Sequence, residues 1–448
     1  MEQTIKGGTV VSATGQRRAD VALRDGSVVA VESSLNEVGE VIDASGLLVM
    51  PGMVDTHVHL MDPGPTERED FPTGTEAAAA RGVTTIIEHT HAHPLRSGED
   101  VAAKVAYLKG RSHVDFALAS HTWPDRIDNM AEVWEAGVAF FKMFTCTTHG
   151  VPALDGAHLL GALTEVARLD GHALIHCEDE SITAEAERIL KAAGRDDPAI
   201  LYEWRNREAE LVAIAAAAVL TETSGAKATF AHVSSPDVLS VIEAAQKRGA
   251  DIAAEACPQY LTLHENEVLE HGTFRKFTPP ARIRDDSEER AMWDLVRRGA
   301  YSHFSTDHAP ATMAQKAEGG IWEAPFGLPG IDTTLAFLID AALVGKIEIS
   351  DVVRMYSTTP AQRYGLAPRK GSLDVGADAD FILVDPAGSW LIRDEDVISK
   401  AGWSPYSGRT MSGRVVATYL GGTEIARDGV CHGKRDGSFM NPRSMHDY

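Results

Sequence analysis

Hydrophobic and polar residues alternate near both ends of the chain, in short runs separated by Gly and Asp. Residues 19–32 (ADVALRDGSVVAVE) contain two such runs around Asp25-Gly26, and this pattern predicts a β-hairpin. Residues 371–386 (GSLDVGADADFILVDP) and 414–431 (RVVATYLGGTEIARDGVC) repeat the pattern near the other end. The sequence therefore predicts β-rich segments at both ends of the chain.

The middle of the chain has a different pattern, in which short apolar runs alternate with longer amphipathic ones. Runs such as VTTIIEHT, VAFFKMFT, HALIHCED and KATFAHVSS are typical of buried strands, whereas GAHLLGALTEVARL and PDVLSVIEAAQKRG are typical of helices. Strand–helix alternation indicates a parallel sheet. With MVDTHVHL in front, about eight strands over roughly 310 residues match a (β/α)8 TIM barrel.

These patterns predict an α/β fold with two domains. We expect the barrel at residues 53–365 and a small β-sandwich built from both chain ends, residues 1–52 and 366–432. Residues 433–448 are polar and are expected to pack as an extended C-terminal arm.

Composition narrows the class of protein. The 448 residues include 65 acidic and 42 basic ones, a formal charge of −23 that argues against nucleic acid and anionic membranes as partners. The N-terminus lacks the apolar core of a signal peptide, and no apolar run is long enough to span a membrane. Four scattered cysteines form no CxxC pair, which excludes a disulfide framework. Together these features predict a reduced, cytoplasmic, soluble protein.

Histidines, of which there are 18, carry the first chemical information. In Val54-Asp55-Thr56-His57-Val58-His59, strand alternation places His57 and His59 on one face. Two imidazoles so close together suit a metal ion, although a pair of hydrogen-bonded core histidines has the same pattern.

Further polar residues stand at or near the ends of other apolar strands, where barrel enzymes place their chemistry. These are Lys142, His176, His232 and Asp307. A single histidine in such a place is more often structural. Four histidines with a lysine and an aspartate in this order predict a metal centre.

Lys142 lies in the apolar run AFFKMF and needs a separate explanation. Burial beside cations disfavours an ammonium group and makes the neutral amine accessible. A neutral amine can add carbon dioxide, and the resulting carbamate is an anion that two metals would stabilise. A lysine that pairs with a surface acid is the alternative, and the neighbouring candidate ligands favour the carbamate.

The chain resembles the cyclic amidohydrolases of the dihydroorotase, allantoinase and dihydropyrimidinase (hydantoinase) group from Met1 to about Gly433. The resemblance rests on PGMVDTHVHLMDPG, GVTTIIE, FFKMF, ALIHCEDE, FAHVSSPD, AEACPQYL, TPPAR, STDHAP, APFGLPGIDTTL, ADADFILVD and SPYSGR. It implies a hydrolase that opens a cyclic amide, with two divalent metals, zinc first and manganese or cobalt as alternatives. Family members are commonly homodimers or homotetramers.

The resemblance also assigns roles to the six candidate ligands. His57, His59 and Asp307 would hold the first metal, and His176 and His232 the second. Lys142, as N6-carboxylysine, would bridge both together with a hydroxide. That hydroxide would attack the ring carbonyl, while Asp307 takes its proton and passes it to the leaving nitrogen.

Several residues differ from those of dihydroorotases and reduce the number of candidate substrates. Where that family binds the orotate carboxylate, this chain has Met61, His91 and Ala311. A carboxylate needs paired cations or donors, so these residues argue against dihydroorotate, although STDHAP and APFGLPGIDTTL are dihydroorotase-like. Dihydroorotase is therefore kept as the alternative function.

Other positions favour an uncharged cyclic ureide or imide. Thr147 stands where hydantoinases have a Tyr near the scissile carbonyl. In having a Thr at this position, the chain is more similar to allantoinases than to hydantoinases. Thr278 falls where the family binds the ring amide, and Gly327 of APFGLPG is a further candidate contact. We therefore expect an allantoinase-like or hydantoinase-like activity.

Two other functions and one motif are left open. A one-metal deaminase would have no use for Lys142, and a non-catalytic interaction protein of the same fold, such as the collapsin response mediator proteins, would lack metal ligands.

In EHTHAHP, residues His89, His91 and His93 alternate. They fit a third metal, a pocket-lining role for His91, or a solvated loop, and His121 and His149 are candidates for the mouth of the site.

Overall fold

The N-terminal part of the chain is a series of short strands. We describe residues 2–445 from a computed structural model. The strands are β1 (Glu2–Lys6), β2 (Thr9–Ser12), β3 (Gly15–Arg18), β4 (Asp20–Arg24), β5 (Ser27–Glu32), β6 (Glu40–Asp43) and β7 (Leu48–Pro51). Asp25 and Gly26 both have positive φ in the turn between β4 and β5, as the predicted hairpin requires.

The middle of the chain contains parallel sheets. Its strands are β8 (Met53–Val58), β9 (Val83–Glu88), β10 (Asp115–Leu118), β11 (Ser120–His121), β12 (Phe141–Phe144), β13 (His172–His176), β14 (Lys227–Phe230), β15 (Ile252–Ala256) and β16 (His303–Phe304). One sheet has the order β10-β9-β8 and the other runs from β11 to β16 in sequence. A parallel bridge joins Val58 to His308, just beyond β16. The predicted α/β class with parallel strands is confirmed.

Helices follow most of these strands. Their bounds are α1 (Phe71–Ala80), α2 (Gly98–Leu108), α3 (Met130–Glu135), α4 (Gly156–Arg168), α5 (Glu180–Ala192), α6 (Ile200–Trp204), α7 (Arg207–Ser224), α8 (Pro236–Lys247), α9 (Glu267–His271), α10 (Asp286–Arg297), α11 (Met313–Ala317), α12 (Thr334–Leu343), α13 (Ile349–Val353) and α14 (Thr359–Arg363). Asp179 caps α5 by accepting from the backbone N–H of Ile182, so the chain turns into a helix soon after β13 ends. Within residues 2–445, no helix has the length and apolar character needed to cross a bilayer.

The C-terminal strands join the N-terminal ones. They are β17 (Phe381–Leu391), β18 (Thr410–Leu420), β19 (Thr423–Arg427) and β20 (Val430–Cys431). A seven-stranded sheet has the order β20-β19-β18-β17-β7-β2-β3, and a four-stranded sheet has the order β5-β4-β1-β6. Apolar side chains from both sheets, including Ile5, Val21, Val49 and Leu383, form one buried cluster. Strands from both chain ends thus share a sheet, whereas the division into a barrel and a β-sandwich stays a prediction.

The C-terminal tail lies against the parallel strands. The backbone N–H of Ser438 donates to Asp115, and that of Met440 donates to the carbonyl of Phe116. The last three residues of the predicted arm, 446–448, lie outside the described residues.

Burial along the parallel strands explains why polar residues at their ends stand out. Every residue of β8, β9 and β12 is buried, as expected for strands covered on both faces. The side chain of Lys142 in β12 therefore lies among buried apolar residues, and the direction of its strand sets the side to which it points.

Candidate metal centre

The six predicted ligands come together at the carboxyl ends of the parallel strands. His57 belongs to β8, Lys142 to β12 and His176 to β13. His59, His232 and Asp307 follow β8, β14 and β16 within a few residues. All six line one cavity, and all except Asp307 are at most 3% exposed. Residues up to 250 positions apart (His57 and Asp307) therefore share one small volume.

His57 and His59 form the first group with Asp307. The Nε2 atom of His57 lies 3.2 Å from Asp307 Oδ1, and that of His59 lies 3.6 Å from the same oxygen. The opposite ring nitrogens are held by other groups. His57 Nδ1 donates to Glu255 Oε2 at 2.8 Å, and His59 Nδ1 donates to the carbonyl of His89 at 2.7 Å. Both Nε2 lone pairs therefore face Asp307.

His176 and His232 form the second group. His176 Nδ1 and His232 Nε2 lie 3.0 Å apart. His176 Nε2 donates to Glu178 Oε2 at 2.8 Å, so in the neutral ring Nδ1 carries the lone pair. The backbone N–H of His232 donates to Glu255 Oε2 at 2.9 Å. One carboxylate, Glu255, thus holds a histidine from each group.

Lys142 lies beside the first group and lines the same cavity as the second. Its Nζ is 3.4 Å from His57 Nε2 and 5.1 Å from the centre of the Phe144 ring. Burial lowers the pKa of Lys142 to about 8, although Glu255 and Asp307 oppose the shift. The neutral amine is therefore accessible near neutral pH, which is the form that adds carbon dioxide.

Asp307 is the most accessible of the six, with 13% of its side chain exposed. Burial alone would raise the pKa of Asp307, but His57, His59 and Lys142 outweigh it, and the pKa is held below its usual value. Asp307 and His232 also have positive φ, 49° and 38°, which is strained for residues with a Cβ. Such strain is typical of residues that a functional site holds in place.

This donor set fits divalent metals. Imidazole nitrogens and a carboxylate are ligands that zinc, manganese and cobalt accept, and the lone pairs converge while the far side of three rings is held by a carboxylate or carbonyl. The nitrogens that face inward lie close to one another, to Asp307 and to Lys142. Without a cation, such a buried cluster of lone pairs would be poorly compensated.

The cavity over this cluster is small. Its other walls are Phe144, Phe326, His91, His149, Thr278, Ala309 and Gly327. Gly327 has φ +114°, and an added Cβ would come within 2.2 Å of the Ala309 carbonyl oxygen. A residue with a side chain would therefore not fit here, and Gly327 lines the cavity with its backbone. Three predicted substrate contacts, His91, Thr278 and Gly327, thus border the cavity.

The other three predicted contacts do not line this cavity. Met61 is buried, with φ 55°, and the carbonyl of buried Ala311 accepts from the indole of Trp403 at 2.9 Å. Thr147 is exposed, and its backbone N–H donates to Glu180. His93 is also exposed, on the loop after β9.

Two buried carboxylates of the site, Glu255 and Glu178, were given no role from the sequence. Glu178 Oε2 accepts from His176, from Thr278 Oγ1 at 2.6 Å and from Arg205 Nη1 at 3.3 Å. Burial would raise the pKa of Glu178, but Arg205 and His176 lower it to about 2. A glutamate inside the apolar strand IAAEA (β15) was the available signal for Glu255, since a buried carboxylate needs partners.

Comparisons with known proteins find similar proteins over most of the chain. The model of the amidohydrolase family matches residues 48–425. An allantoinase from Rubrobacter xylanophilus is 36% identical over 446 residues, covering 98% of this chain and 97% of the relative. An allantoinase from Salmonella newport is 32% identical over 435 residues, covering 94% of each.

Solved structures are similar over the same length. An L-hydantoinase (dihydropyrimidinase) from Arthrobacter aurescens has a TM-score of 0.93 and 29% identity, covering 98% of this chain and 99% of its own. A dihydropyrimidinase from Brevibacillus agri has a TM-score of 0.92 and 27% identity, covering 98% of each chain.

Proposed function

This chain belongs to the amidohydrolase family and is a hydrolase of cyclic amides, and we propose that it opens the ring of allantoin with two divalent metal ions. The observation that carries the proposal is that all six predicted ligands line one cavity, in which His57 Nε2 lies 3.4 Å from Lys142 Nζ and 3.2 Å from Asp307 Oδ1. Allantoin comes first because the two relatives described above, at 36% and 32% identity, are allantoinases, whereas the two solved structures described above, a hydantoinase and a dihydropyrimidinase, are below 30% identical.

Each of the six residues has a place in the proposed centre. His57, His59 and Asp307 would hold one ion, His176 and His232 the other, and Lys142 as carbamate would bridge them. Zinc is the first candidate, with manganese or cobalt as alternatives. When bound, two such cations polarise the scissile carbonyl and lower the pKa of water, so that it attacks at neutral pH. The lowered pKa of Lys142 supports its carbamylation.

Asp307 is the proposed proton carrier. Its carboxylate faces the cavity, and its lowered pKa keeps it ionised before the reaction. We propose that Asp307 accepts the proton of the attacking water and delivers it to the ring nitrogen as the C–N bond breaks. Water is consumed, the ring opens to a carboxylate and an N–H group of a urea, one proton is released to solvent, and no ammonia is formed.

The cavity suits a small uncharged ring. Phe144 and Phe326 provide apolar faces, while Thr278, His91 and the backbone at Gly327 provide polar edges. Among the described residues that line the cavity, Lys142 is the only lysine or arginine, and it belongs to the proposed centre. Arg205 lies behind the wall and already pairs with Glu178. A dihydroorotate carboxylate would therefore lack a free cation, which supports allantoin over dihydroorotate.

The larger organisation is also part of the proposal. The bridge between Val58 and His308 supports a (β/α)8 barrel that closes between β8 and the segment after β16. The mixed sheet of both chain ends supports a β-sandwich of residues 1–52 and 366–432 beside a barrel of residues 53–365. Four unpaired cysteines support a reducing, cytoplasmic compartment. A homodimer or homotetramer is proposed from the family, and sedimentation tests it.

A substrate panel tests this function. The purified chain, loaded with zinc, manganese or cobalt in the presence of bicarbonate, is assayed with allantoin, hydantoin, dihydrouracil, dihydroorotate and succinimide. We expect the highest kcat/KM with allantoin and ring opening without ammonia. Turnover of dihydroorotate alone would refute the argument from the cavity, and release of ammonia would indicate a deaminase. Asp307→Asn serves as the inactive control of matched shape.

A further inference from the structure

A second group of histidines lies beside the proposed metal centre and supplies none of its six proposed ligands. His89 and His91 follow β9, and His121 ends β11. One ring nitrogen from each of the three lies within 4.8 Å of the other two. The ring centres of His89 and His121 are 5.8 Å apart, and those of His91 and His121 are 5.5 Å apart. Three imidazoles from the ends of two strands thus bring ring nitrogens close together.

The ring nitrogens of this group lack protein partners. Both nitrogens of His89 and both of His121 are buried without a hydrogen bond to any described residue, and each side chain is 1% exposed. A neutral imidazole has one donor and one acceptor, and burial without partners is unfavourable for both. Two such rings side by side therefore indicate that their nitrogens bind a ligand other than a protein group.

Neighbouring groups do not fill this role. The Glu88 carboxylate, the closest acid along the chain, already accepts from Lys104 at 2.5 Å and from the backbone of Leu60. Phe140 lies against His89 and Phe144 stacks on His121, so those sides are apolar. Only His91 of the three lines the cavity, and a substrate there would leave His89 and His121 unsatisfied.

We propose that His89, His91 and His121 bind a third divalent transition-metal ion, for which zinc is the probe. Three imidazoles are a sufficient protein ligand set for zinc, and they leave a fourth position for water or another small ligand. The ion would fix His91 against the strand end that carries His121. Because His91 borders the cavity, the site would also hold one wall of the substrate pocket in place. This inference does not depend on which cyclic amide is hydrolysed.

The competing assignment is that His89 serves the main centre. One of its nitrogens also lies within 4.8 Å of ligand atoms of His57 and His59. However, His59 already contacts His89 through the backbone carbonyl, and His121 does not belong to that group. Substitution of His121 therefore separates the third site from the main centre.

The test counts zinc ions per chain. The full-length protein is stripped with a chelator, reloaded with zinc and bicarbonate, desalted and measured by mass spectrometry of the metal. We expect three zinc ions per wild-type chain and two per chain of His121→Asn or His121→Phe. His158→Asn is the matched control, because this imidazole is exposed on α4 and should leave three. Circular dichroism and gel filtration establish that each variant is folded.

A second pair of variants separates this proposal from the proposed function. Lys142→Ala should lose the main centre and keep one zinc, which the double variant Lys142→Ala, His121→Asn should lose. If Lys142→Ala keeps all three zinc ions while His121→Asn loses one, the third site stands and the proposed main centre fails. Two zinc ions in the wild type, or equal counts in wild type and His121→Asn, would overturn the third site. The wild-type count decides even if a variant does not fold.

Discussion

Replacing Glu255 by Gln tests how the candidate ligands are held. Glu255 Oε2 accepts from the His57 ring at 2.8 Å and from the backbone of His232 at 2.9 Å, and the side chain is fully buried. Gln has nearly the same shape, and its carbonyl oxygen can accept both bonds. The substitution therefore removes the negative charge while it keeps the packing.

The magnitude follows from the loss of two charge-assisted hydrogen bonds. Such bonds contribute about twice as much as neutral ones, so the pair should weaken by about 2 kcal/mol in all. This corresponds to roughly 30-fold weaker metal binding, within the range of about 10- to 100-fold typical of groups that orient ligands. Stability without metal should be unchanged or higher, because a buried charge is removed.

Three measurements separate positioning from simple damage. Metal affinity is measured by competition with a chelator, kcat/KM with allantoin, and the thermal midpoint on metal-free protein. Glu208→Gln, an exposed residue on α7, is the control for loss of one negative charge. We expect Glu255→Gln, and not Glu208→Gln, to lose metal affinity, at a metal-free midpoint that is unchanged or higher. Metal affinity within about threefold of wild type would refute the positioning role of Glu255.

Three further predictions concern the proton carrier, the bridging lysine and the β-rich region. Asp307→Ala should lower kcat by about 10²- to 10⁴-fold in steady-state assays, because no other described group with a free carboxylate lines the cavity, and near-normal turnover would exclude this role. At constant dissolved CO₂, metal-free enzyme to which metal is added should regain activity faster at about pH 9 than at about pH 7. The reason is that neutral Lys142 predominates above its pKa of about 8, whereas an ordinary lysine would stay mostly protonated at both pH values. Equal rates of reactivation would contradict the carbamate. Lys370→Met should lower the free energy of unfolding by about 3–5 kcal/mol, because Lys370 Nζ lies 2.5 Å from Asp115 and 2.6 Å from Asp380 in a buried network, and an unchanged denaturation midpoint would argue against it.

The fold class was accessible from the sequence because its signals are local. Apolar runs such as VTTIIE and FKMF are buried on both faces of their strands, and the Asp25-Gly26 turn is where the pattern predicts it. Which strands pair was not local information. The pairing of Phe381 in β17 with Pro51 in β7 joins the two ends of the chain through a register that no short window contains.

The candidate ligands divide in the same way. The sequence by itself determined the residue types and their places at strand ends, because alternation with period two sets the face of His57 and His59, and parallel strands end at one edge. Only the tertiary structure decided the direction of each ring nitrogen. His57 meets Glu255 across 198 positions, and His89, His91 and His121 meet across two strand ends. Such contacts depend on sheet register and side-chain rotamers, which packing of the whole chain selects.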